Sequence, residues 1–171
     1  AVNQGDTKSA RLLFEQYHQK IFGFILKLTK DRELSLDLTQ NVFLRMLKYR
    51  HSFKNDSKFR PWIFQIARNV MADHWRKHPE KSGTKVPIEE IQDHYTQKDG
   101  SEQGNSEFEQ LYMAMDKLSL DDKELLVLSK FEGLRYKEIA LMNTTTEDNI
   151  KMKVHRAIKK LRVHYFQLEN L

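Results

Sequence analysis

Hydrophobic residues recur at helical spacing over most of the chain. Ala10, Leu13, Phe14, Tyr17, Ile21, Phe24, Ile25 and Leu28 follow the i, i+3, i+4, i+7 rule. That spacing predicts one amphipathic helix over about residues 10–28 with a single buried stripe. A second helix is expected from about Leu34 to Tyr49, carried by Leu38, Val42 and Met46 with Phe43 and Leu47 beside them. The stretch from His51 to Ser57 is polar and reads as a loop. A third helix starts near Phe59, with Pro61 tolerable in a first turn whose N–H groups have no intrahelical partner. It carries Trp62, Ile63, Ile66, Ala67, Val70 and Trp75 and ends before Pro79.

From Pro79 to about Asn105 the periodicity dissolves. Pro79, Gly83, Pro87, Gly100 and Gly104 are five of the chain's six glycines and three prolines, and acidic and polar residues fill the rest, as a flexible tether requires. One short helical turn is expected near Ile88–Ile91. Periodicity resumes with Phe108, Leu111, Met115 and Leu118. A helix from Asp121 to Phe131 follows, closed by Gly133 in a C-cap position. A short helix over Tyr136–Met142 and the polar run Asn143, Thr144, Thr145, Thr146 lead into a last helix from about Glu147 to beyond Leu161. Its buried face is Ile150, Val154, Ala157, Ile158 and Leu161. No segment alternates as a strand does, so the expected fold is all-α: two small helical domains on a flexible linker, the second a helix-turn-helix.

Charge sharpens this division. Residues 1–78 hold 15 Lys+Arg against 7 Asp+Glu, residues 79–110 hold 3 against 8, and residues 111–171 hold 11 against 9. Two basic modules around an acidic connector suit a polyanionic partner. The absence of cysteine excludes disulfides and thiolate metal sites. No apolar run reaches membrane-spanning length and the first residues lack a signal-peptide layout, so a cytoplasmic protein without direct membrane insertion is expected.

A short helix, a turn of three or four residues and a longer helix make a helix-turn-helix, whose second helix enters the major groove with its N-terminal residues at the base edges. Here that helix presents Lys151, Lys153, Arg156, Lys159, Lys160 and Arg162, with no acidic residue between Ile150 and Arg162. The bland alternative is a solvated face whose lysines serve solubility. Thr145 or Thr146 can cap the helix, and Asp148 and Asn149 suit either capping or base reading. Asn143 is the residue expected to take the left-handed conformation in the turn.

The motifs narrow the class. Leu118 to Arg162 resembles region 4 of the extracytoplasmic-function sigma factors, through Phe131-Glu132-Gly133-Leu134, Tyr136, Glu138-Ile139-Ala140, Ile150-Lys151, His155-Arg156-Ala157 and Leu161-Arg162. The turn departs from the family, which has a Leu-Gly-Ile type where this chain has Asn143-Thr144-Thr145. Asp37 to Arg45 resembles the helix of sigma region 2 that docks on polymerase. Phe59-Arg60-Pro61-Trp62-Ile63-Phe64-Gln65-Ile66-Ala67-Arg68-Asn69, followed by Asp73-His74-Trp75-Arg76-Lys77, resembles the region 2 signature that holds the separated −10 strand.

The resemblance implies two domains and a linker: residues 1–78 as region 2, 79–107 as an acidic linker passing near the polymerase channel, and 108–171 as region 4. It implies −35 contacts from Arg135, Asn149, Lys151, Met152, Lys153, Arg156 and Lys160. It implies −10 contacts from Phe53, Lys54, Asn55, Lys58, Arg60, Arg68, Asn69, Arg76 and Lys77. Asp37, Gln40, Asn41 and Arg45 would meet core RNA polymerase, whose β′ clamp helices and β flap are the implied surfaces, and an anti-sigma factor is a further implied partner. Phe53 is a candidate stacking platform, Trp62 reads as core rather than stacking surface, Trp75 as either, and Asp73 can orient an arginine.

No nucleotide-binding or zinc-protease motif occurs, and His74 and His78 lack an evident third ligand, so neither enzyme activity, metal nor cofactor is implied. Two rivals stand beside this reading: a helix-turn-helix regulator acting on duplex DNA without being a polymerase subunit, and a helical module with an acidic protein partner.

Overall fold

The computed structural model describes residues 7–53, 58–79 and 104–169. Among them every regular element is a helix, and the chain divides into two compact units, the first reaching Lys85 and the second starting at Val86. Most of the connector, with the turn expected near Ile88–Ile91, lies outside the described residues.

The first unit packs three helices: α1 (Thr7–Thr29), α2 (Arg32–Tyr49) and α3 (Phe59–Lys77), with a 3₁₀ turn, Arg50–Ser52, after α2. The apolar stripes meet as their spacing demands. Ile21, Phe24 and Ile25 of α1, Val42 and Met46 of α2, and Ile63, Phe64, Ala67 and Val70 of α3 are all buried. Phe24 and Phe64 meet edge to face at 5.3 Å. Each of these side chains other than that of Ala67 contributes about 1.5–3 kcal/mol on burial.

The α1–α2 corner is tight. Lys30 takes a left-handed φ of 57°, and Asp31 caps α2 by accepting from Leu34 N at 2.9 Å. Thr29 and Ser35 hydroxyls close the corner at 2.8 Å.

The second unit holds α4 (Gly104–Asp116), α5 (Leu120–Leu126), α6 (Tyr136–Met142) and α7 (Glu147–Glu169), with α4, α5 and α6 each packed on α7. Helix α4 starts at Gly104, so the last residues assigned to the tether are helical. Helix α5 does not run on regularly to Phe131. It widens into a π turn over Val127–Phe131, with Glu132 N reaching back to Val127 O at 2.9 Å. Gly133 then turns the chain with φ 63°, where a side chain would cost about 1 kcal/mol.

The turn before α7 corrects one expectation. The left-handed residue is Thr144, with φ 50°, and not Asn143, which sits at φ −99°. Asn143 instead donates its side-chain amide to Ile139 O at 2.8 Å, ending α6. Thr145 N returns to Ala140 O at 3.0 Å. Thr146 Oγ1 accepts from Asn149 N at 3.2 Å and caps α7.

Candidate nucleic-acid and polymerase interfaces

Helix α7 buries Ile150, Val154 and Ala157 and turns its basic residues outward. With 3.6 residues per turn, Met152, Arg156 and Lys159 stack on successive turns of the face opposite the core. Lys151 and Lys153 flank that line, and all five are exposed. Two of the expected contacts are spent within the unit. Lys160 Nζ lies 2.6 Å from Asp122 Oδ2 on α5, and Asn149 donates its side-chain amide to Thr145 Oγ1 at 2.8 Å. Asn149 therefore serves the start of the helix in this structure. Arg135 is exposed just ahead of α6, its backbone N–H held by the buried Glu138 carboxylate at 2.9 Å. Lys159, a basic residue outside the expected contact set, falls on the central line.

On α3 the outer line consists of Gln65, Asn69 and Arg76, with Ala72 between them. Gln65 Nε2 donates to Asn69 Oδ1 at 3.1 Å. Gln65 belongs to no expected contact set, although its i, i+4 relation to Asn69 is visible in the sequence. Arg60 and Arg68 are half-buried, while Lys58 and Lys77 are exposed. The Arg60 Nε is buried and has no hydrogen-bond partner among the described residues, so only the outer end of this guanidinium is open to an anionic group. Lys54 and Asn55 lie outside the described residues.

Trp62 is not in the buried stripe. It is half-buried in an aromatic cluster at the start of α3, with ring centroids 5.1 Å from Phe53 and 5.6 Å from Phe59. Tyr17 supports Phe59 from α1 at 5.1 Å. Phe53 is thus packed on both of its neighbours and only partly open to a stacked base.

On α2, Asp37, Gln40 and Asn41 are exposed on the face opposite Val42 and Met46. In their midst stands Leu44, 67% exposed, with Leu36 and Leu47 beside it. Leu47, expected next to the buried stripe, is open, and nothing in the apolar spacing marks Leu44 as a surface residue. An apolar centre with a polar surround is the anatomy of a protein interface.

Arg45 sits at the edge of this face and is half-buried. Its Nε donates to Asn41 Oδ1 at 3.1 Å and its Nη1 to Asp73 Oδ2 of α3 at 2.7 Å. Arg76 Nη2 reaches the other oxygen of Asp73 at 2.5 Å. The hydrogen bond from Arg45 holds the Asp73 carboxyl below its ordinary pKa. The charges of Arg45, Arg76 and Lys77 act in the same direction and desolvation opposes them.

No group of three or more His, Asp or Glu side chains that could hold a metal ion occurs among the described residues, and no described helix is long and apolar enough to cross a membrane.

Residues 13–79 match the family model described as Sigma-70 region 2, and residues 108–161 match that described as Sigma-70, region 4. The chain is 30% identical over 154 residues to the ECF RNA polymerase sigma factor SigM of Bacillus subtilis (strain 168), covering 90% of this chain and 93% of that protein. It is 28% identical over 159 residues to the ECF RNA polymerase sigma factor SigX of the same strain, covering 90% and 82%. Among solved structures, the fold is similar to the sigma factor RpoE in complex with the anti-sigma factor NepR from Bartonella quintana. That match has a TM-score of 0.71 at 21% identity over 92% of this chain and 97% of the other. CnrH in complex with the cytosolic domain of CnrY matches with a TM-score of 0.71 at 18% identity, over 95% and 90%.

Proposed function

Because the chain belongs to the extracytoplasmic-function RNA polymerase sigma factors of the sigma-70 family, we propose that it binds core RNA polymerase and directs it to a set of promoters. The carrying observation is that both sigma regions occur in one chain, in order, and that each keeps an exposed binding surface. A regulator of duplex DNA would have no use for the first unit, so that rival is not favoured.

In this reading residues 108–171 grip the −35 duplex through the outer line of α7: Arg156 reads a base edge, Met152 meets a thymine methyl or sugar, and Lys151, Lys153 and Lys159 contact phosphates. Residues 1–78 dock on polymerase through Asp37, Gln40, Asn41, Leu44 and Arg45. The same unit holds the opened −10 strand along Asn69, Arg76 and Lys77, with Arg60 and Arg68 adding charge and Phe53 a limited stacking edge. Residues 79–107 tether the two, so that either contact raises the effective concentration of the other.

The protein performs no covalent step. It favours promoter opening by binding the opened strand better than the duplex. The β′ clamp helices and β flap of polymerase are the docking surfaces, and a protein of the NepR kind, an anti-sigma factor, is the regulatory partner. A cytoplasmic setting follows from that assignment.

The test is a gel shift on a promoter fragment. The chain with core polymerase should retain the fragment at salt where neither component does alone. Equal retention by the chain alone would favour the duplex regulator.

A further inference from the structure

The docking face of α2 and the cationic end of α3 are joined by a carboxylate that neither surface accounts for. Asp73 accepts from Arg45 Nη1 at 2.7 Å with one oxygen and from Arg76 Nη2 at 2.5 Å with the other. Arg45 Nε continues the chain of bonds to Asn41 at 3.1 Å. A relay of four side chains therefore runs from the polymerase-facing strip to the strand-facing end of α3. Resting on the function proposed above, we infer that Asp73 is a positioning residue. It holds Arg45 and Arg76 in their binding orientations and couples polymerase capture to strand binding.

Three features of the relay support this role. An arginine loses much rotamer freedom when it binds, and Arg45 has lost it in advance because two of its three nitrogens are committed inside the unit. Its Nη2 makes no hydrogen bond among the described residues and keeps both hydrogens for an outside acceptor. Second, two guanidiniums sharing one carboxylate carry a single net positive charge, so Arg45 and Arg76 can sit close together without repelling. Third, the hydrogen bond from Arg45, aided by the charges of Arg45, Arg76 and Lys77, lowers the carboxyl pKa, so the relay stays charged further into acid than an unpaired carboxylate would.

The competing view is a clip between α2 and α3 that only adds stability. Ion pairs as exposed as this one, near 30% on each side of Arg45–Asp73, add little stability. Positioning and clipping therefore separate by experiment.

The experiment uses the full chain with core polymerase and compares wild type, Asp73→Asn, Asp73→Glu, Arg45→Ala and the Asp73→Asn/Arg45→Ala pair. Affinity for core is read by fluorescence polarisation, strand opening by a fluorescent base at −10, and folding by thermal melts. Asp73→Asn should lose roughly tenfold in core affinity, the weight of one charge-assisted hydrogen bond, and open DNA more slowly, with little change in melting. Asp73→Glu should recover most of the loss, and the double variant should bind no worse than Arg45→Ala alone.

The inference is overturned if Asp73→Asn binds and opens like wild type, if only its melting falls, or if its loss multiplies with that of Arg45→Ala. Should Asp73→Asn melt below the assay temperature, binding and opening are compared below its melting temperature, with the same expected loss and the same overturning result. Failure of wild type itself to capture core would sink the functional reading, and this inference with it.

Discussion

Lys160 on α7 and Asp122 on α5 are joined at 2.6 Å, so the recognition helix spends one of its lysines on the flank of its own unit. Arg156, one turn earlier and on the outer face, has no such partner among the described residues. Arg156→Ala should weaken binding to a −35 duplex by about 1–3 kcal/mol and lower the salt slope by about one. Lys160→Ala should cost clearly less. Anisotropy titrations over a salt series separate the two, and the reverse order would place the groove contact on the other side of the helix.

Thr144 holds a left-handed φ of 50° at the centre of the helix-turn-helix turn. A side chain branched at Cβ is poorly suited there, at about 1–2 kcal/mol. Thr144→Gly relieves that strain but gives the unfolded chain more freedom. Denaturant titration should show a net gain below about 1 kcal/mol. A loss of stability would mean that the threonine side chain makes a contact outweighing its strain.

Lys123 is buried against Asp116, 3.1 Å away, and desolvation holds its pKa below that of an exposed lysine. The unfolded chain therefore keeps a proton that the folded unit gives up earlier. Stability contributed at this position rises with pH between the folded value and the unfolded value of 10.5. Lys123→Met together with Asp116→Leu should be about as stable as wild type at neutral pH, because a buried ion pair is readily replaced as a whole by apolar groups. Relative to that variant, wild type should gain as pH rises through the window. A parallel pair of stability–pH curves would contradict the assignment.

Leu44 is exposed at the centre of the polar strip on α2. Burial of a leucine is worth about 1.5–3 kcal/mol. Leu44→Asp should therefore weaken core-polymerase binding by roughly tenfold or more, with unchanged helicity by circular dichroism. Gln40→Ala with Asn41→Ala should also weaken it, while leaving −35 duplex binding alone. Intact polymerase capture in both variants would move the docking surface elsewhere.

The helices were legible because their apolar stripes keep a 3.6-residue period, as Ile21–Leu28 and Ile150–Ala157 show. The π turn after Leu126 was not, since nothing in the apolar pattern marks the widened turn. Periodicity sorts residues into faces but does not say which face stays uncovered, so it sets Leu47 beside the buried stripe and does not mark Leu44 as a surface residue. The chemistry of Asn143 suggested the left-handed position, but its amide found a better partner in the Ile139 carbonyl and the strain passed to Thr144. Arg45–Asp73 and Lys160–Asp122 join residues 28 and 38 positions apart. Only the packing of α2 on α3 and of α5 on α7 brings those charges together.

Run-off transcription with core polymerase tests the account most directly. On a genomic promoter set, adding the chain should produce discrete transcripts from a subset of templates, and Arg156→Ala should reduce them. The same transcripts with and without the chain, or none on any template, would contradict it.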